Sequence, residues 1–82
     1  MTFAEDLEKL IGWRMEYLLA NRNVRNYVAR LRAEDYHTVC SDLLTNGDGT
    51  PEFLLFRGLV KKLYILYRGM NGNELLKRGV ER

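Results

Sequence analysis

Pro51 is the only proline in the chain, and it stands between Thr50 and Glu52 directly after Thr45-Asn46-Gly47-Asp48-Gly49. A capping hydroxyl, a proline whose missing N–H costs nothing at the first helical position and an acid in the first turn together spell a helix start. No further proline follows, and only the isolated Gly58 precedes Gly69, so the sequence predicts a long helix from Pro51 to Arg68 that Gly69 ends. Leu55, Phe56, Leu59, Val60, Leu63, Leu66 and Tyr67 share one broad face of it. A strand over Leu63 to Tyr67 would suit the tyrosines and isoleucine, but no second alternating segment exists for it to pair with.

The remaining periodicity is helical as well. Phe3, Leu7, Leu10 and Tyr17, then Ala20, Val24, Tyr27, Val28 and Leu31, fall at three-and-four spacing. The stripe drifts between the two sets, which predicts two helices with a break near Asn21-Arg22-Asn23 and Asn23 as N-cap, one bent helix being the alternative. Tyr36, Val39, Cys40, Leu43 and Leu44 form a further helical block, which either continues the Val24 helix or starts afresh near Glu34-Asp35. Gly69-Met70-Asn71-Gly72-Asn73 reads as a second turn, with a short final helix over Asn73 to Arg78. The expectation is one all-α domain over residues 1–82, a bundle of three to five helices with the long helix starting at Pro51.

A chain of 82 residues, 46% hydrophobic and 29% charged, is neither compositionally disordered nor large enough for much pocket volume. The single thiol, Cys40, cannot close an internal disulfide, and Glu5, Asp6 and Glu8 oppose a signal peptide. Cations at Arg57, Lys61 and Lys62 interrupt the apolar runs, so no membrane span is expected and the location implied is cytoplasmic.

Few residues suggest chemistry. His37 and Cys40 lie three apart on a helix, the spacing of a thiolate–imidazole pair, but Cys40 falls on the apolar stripe as a small buried hydrophobe would. One cysteine and one histidine do not make a zinc set. Asn46-Gly47-Asp48-Gly49-Thr50 resembles a calcium loop only superficially. With Gly49 at the sixth position, the first and twelfth ligands would be Leu44 and Leu55. No lysine follows Gly49 as a phosphate loop requires. The reading is therefore no enzyme, no cofactor, no metal and no small-molecule substrate.

The charges are unevenly distributed. Residues 1–32 carry 6 basic and 4 acidic groups, residues 33–52 carry 0 and 5, and residues 53–82 carry 7 and 2. Arg22, Arg25, Arg30 and Arg32 form a cluster without an acid among them, and Arg57, Lys61, Tyr64 and Arg68 form a stripe expected opposite the leucine face. Such surfaces suit a protein interface, while nucleic-acid phosphate is the alternative and pairing with the acidic middle block the plainest use. Trp13 and Tyr64 lie off the centres of their apolar stripes and would anchor a partner if exposed. The function implied is a non-enzymatic interaction or assembly module that binds a protein partner or itself. Compact viral genomes often encode such short helical chains, so a small bacteriophage structural or accessory protein, in the host cytoplasm or the virion, is the expectation within that class.

Overall fold

The computed structural model describes the backbone of residues 2–80 and the side chains of residues 2–69. It is an all-α bundle: α1 (Phe3–Ile11), a 3-10 turn (Gly12–Arg14), α2 (Met15–Leu19), α3 (Arg22–Ala33), α4 (Tyr36–Thr45) and α5 (Pro51–Val80).

Side-chain caps explain most helix starts. At α1, the Thr2 hydroxyl accepts from the Glu5 N–H (3.1 Å) while the Glu5 carboxylate accepts from the Thr2 N–H (3.0 Å), a reciprocal capping box. Asn21, rather than Asn23, caps α3, accepting from the N–H groups of Asn23 (2.8 Å) and Val24 (3.1 Å). Asp35 caps α4 through the Thr38 N–H (3.1 Å), so α4 starts afresh and does not continue α3. At α5 the Thr50 hydroxyl accepts from the Phe53 N–H (3.3 Å), with Pro51 at the first helical position as the sequence predicts.

Two helix ends differ from expectation. The first segment breaks at Gly12 as well as near Asn21, because Gly12 takes φ +56°, a conformation that side chains disfavour, and its N–H closes α1 on the Glu8 carbonyl. Conversely, α5 does not stop at Gly69. It passes through Gly69 to Asn73 and on to Val80, so the predicted turn and separate final helix are one continuous helix. Gly12 is the only described residue with positive φ, so Gly69 takes no left-handed cap. Each helical glycine costs about 1 kcal/mol, and without a proline nothing forbids the backbone ladder from continuing.

Among the described residues the core is wholly apolar. Phe3, Leu7 and Ile11 of α1, Leu18 of α2, Val24, Val28 and Leu31 of α3, Val39, Cys40 and Leu43 of α4, and Phe53, Phe56, Val60 and Leu63 of α5 are all buried. On α5 the buried stripe is therefore centred on Phe53, Phe56, Val60 and Leu63, and Leu66, expected within it, is 56% exposed. Phe3 stacks on Tyr36 at 4.9 Å and meets the Tyr67 ring edge-on at 5.0 Å, joining the starts of α1 and α4 to the middle of α5. Helices α4 and α5 run antiparallel, since His37 meets Tyr64 while Arg57 reaches back to the Leu44 carbonyl.

Candidate interaction surface

Trp13 is 89% exposed, the most solvent-open large apolar residue described. Its position follows from the break at Gly12. Past the end of α1 its last carbonyls take side-chain donors from Arg14: Nε donates to the Ile11 carbonyl (3.3 Å) and Nη2 to the Leu10 carbonyl (3.2 Å). The same guanidinium lies 5.6 Å from the Trp13 ring centroid, so one arginine closes the helix and supports the indole. Tyr17, on the α2 turn that follows, is 49% exposed. Sequence phase identifies Trp13 as off the stripe, but the Arg14 guanidinium over its ring is not legible, because that placement depends on the backbone break at Gly12.

The Arg22–Arg32 cluster does not form one face. Arg25 donates to the Leu19 carbonyl at the end of α2 (2.7 Å), Arg30 pairs with Asp42 of α4 and with Glu34 (3.3 Å), and Arg32 donates to Glu8 of α1 (2.9 Å). Three arginines of α3 thus clamp three different neighbours. Arg22 alone is exposed with no such contact among the described residues. Pairing holds the Asp42 carboxyl below the usual carboxylate range, chiefly through the Arg30 hydrogen bond, and holds Arg30 charged, chiefly through Asp42.

The Arg57, Lys61, Tyr64, Arg68 stripe divides: Arg57 and Tyr64 lie alongside α4, and Lys61 and Arg68 lie on the outward side, away from the core. Arg57 donates to the Leu44 carbonyl (3.0 Å), Tyr64 is half-buried and its hydroxyl shares a hydrogen bond with His37 Nδ1 (2.9 Å), and Arg68 sits 5.6 Å from the Tyr64 ring centroid. The reason is angular: Arg57 and Tyr64 fall beside the buried stripe, whereas Lys61 and Arg68 lie farther round and are exposed. Tyr64 is thereby committed to the fold and is no free anchor. An open polar groove of about 680 Å³ runs beside it, lined by residues including His37, Thr38, Ser41 and Thr45.

Cys40 and His37 do not form a reactive pair. Cys40 is fully buried and burial pushes its thiol up to about 12, while His37 is exposed and engaged with Tyr64. Among the described residues there is no group of three or more metal-ligating side chains, and no helix is long and apolar enough to cross a membrane. Comparison with known protein families, curated proteins and solved structures finds no match.

Proposed function

We propose that this chain is a non-enzymatic docking module that binds a protein partner, a second copy included, through the surface around Trp13. One observation carries the reading: a tryptophan 89% exposed on a turn that a positive-φ glycine creates and an arginine fastens. Leaving an indole in water forgoes its burial, and tryptophan, tyrosine and arginine are the residues that dominate interface energies. Nucleic acid is less well supported, because Arg25, Arg30 and Arg32 are engaged within the bundle and Arg57 is engaged with α4. The buried, protonated Cys40 gives no support to thiol catalysis. Within this class, the role fits a peripheral piece of a larger assembly, such as a small phage structural or accessory subunit acting in the host cytoplasm or virion.

Trp13 is the only tryptophan, so its fluorescence reports on this surface without a label. Its emission should match that of the unfolded chain and shift to the blue in any complex that uses the surface. W13A should abolish that complex while changing unfolding free energy by no more than about 0.5 kcal/mol. A complex in which the indole stays accessible to quencher, and which W13A leaves intact, would overturn the reading.

A further inference from the structure

The outward face of α5 is explained by neither the core nor the Trp13 turn. Leu54 and Ile65 are 54% and 57% exposed, and with Gly58 and Lys61 between them they follow a four-three-four spacing on the side away from Phe56, Val60 and Leu63. A Cβ on Gly58 or Gly69 would meet nothing within 4 Å, so open notches lie one turn after Leu54 and one turn after Ile65. The same side is uniformly cationic. Lys61, Lys62 and Arg68 are exposed, no acid occurs between Phe53 and Gly69, and neither lysine has an ion pair among the described residues.

We propose that this face docks an acidic amphipathic helix of a partner protein, lying lengthwise along α5. Its apolar residues would seat over Leu54, Gly58, Ile65 and Gly69, and its carboxylates would meet Lys61, Lys62 and Arg68. Charge selects the occupant. A second copy packed antiparallel would set Leu54 against Gly69 and Gly58 against Ile65, which fits by size. That register also sets Lys61 of each chain against Lys62 of the other, with no carboxylate on either face to offset them. A nucleic-acid backbone would satisfy the cations but leave the exposed aliphatic side chains unused.

The inference rests on the docking reading above but uses a different surface, so the two can fail separately. Two synthetic helices of about three heptads, sharing one leucine seam and differing in glutamate or lysine flanks, are titrated at low salt into isotopically labelled protein. The acidic peptide should shift the amide resonances of Gly58, Lys61, Ile65 and Gly69 and bind about tenfold tighter than the basic one, with affinity falling as salt is added. K61E/K62E should reverse that preference, and L54S/I65S, with its fold checked by circular dichroism, should lose the binding. Equal affinity for the two peptides overturns the proposal. So do shifts confined to the Trp13 turn, a dimer formed through α5 without peptide, or stronger shifts from a single-stranded oligonucleotide or from phosphatidylcholine/phosphatidylserine vesicles. W13A should leave the peptide-induced shifts intact. If W13A abolishes partner binding while the acidic peptide leaves α5 unmoved, the docking reading stands and this inference falls.

Discussion

Gly47 and Gly49 are two residues apart in one turn and neither has positive φ, yet only one is fixed by its surroundings. A Cβ at Gly47 would overlap the buried Phe53 ring, whose Cδ1 would lie 2.9 Å away, whereas one at Gly49 would meet nothing within 4 Å. G47A should therefore destabilise the fold by about 1–3 kcal/mol through overpacking, and G49A should leave it unchanged or stabilise it slightly by restricting the unfolded chain. Urea unfolding of the two variants side by side measures the difference. Titration of the buried Cys40 thiol and the half-buried Tyr67 phenol gives a second test at this scale. Burial pushes the Cys40 thiol from its ordinary 9.0 up to about 12, and burial, then the hydrogen bond to Asp6, pushes Tyr67 from 10.0 up to about 12. Above pH 9 the unfolded chain releases a thiol proton that the folded chain keeps, so stability falls as pH rises toward 12, and the tyrosine adds to the fall above pH 10. C40A should remove the loss that begins near pH 9 and leave the later one, measured as the urea midpoint against pH.

The starts of α3 and α5 are built as one node. Asn21 caps α3 through its side-chain carbonyl and uses its amide to donate to the Thr50 hydroxyl (2.8 Å), which itself caps α5. Asp48 accepts from the Asn23 amide and from the Thr50 N–H (2.8 Å), so one carboxylate sits between the positive ends of two helices. Hydrogen bonds from Thr50 and then Asn23 hold its carboxyl below the ordinary range, and the stability they confer is lost as pH falls through that lowered value. N21A and T50A should each cost about 1–2 kcal/mol. Because they share a bond, the double variant should lose less than the sum of the two, and a double-mutant cycle by chemical unfolding reads the coupling. Such nodes also show what a sequence can reveal. The start of α5 at Pro51 and the turn before it were legible because cap chemistry is written in adjacent side chains. The halt at Gly12 and the passage through Gly69 were not, since glycine permits both a left-handed stop and a helical continuation, and the surroundings decide which. The partners of the α3 arginines are not legible for a related reason. The spacing of the cluster is visible, but Leu19, Asp42 and Glu8, which take up three of the four guanidinium groups, lie on other helices.

The molecule measures 46 × 25 × 22 Å, and its long axis matches the roughly 45 Å of a 30-residue helix. Helices of 5 to 12 residues pack beside it, so the molecule is a short bundle built on one long rod. Its two candidate surfaces differ in electrostatic character, and this separates them in solution. The outer face of α5 carries Lys61, Lys62 and Arg68 without a described carboxylate, so two copies repel there and added salt weakens the repulsion. The Trp13 surface presents an exposed indole, whose burial depends little on ionic strength. If the chain associates with itself through Trp13, sedimentation at rising concentration should give the same dimerisation constant at about 0.05 and 0.5 M salt, together with a blue shift of the indole emission. W13A should then be monomeric at both. Self-association that appears only at high salt and persists in W13A would move the contact to α5 and remove the charge argument on which the choice of an acidic partner depends.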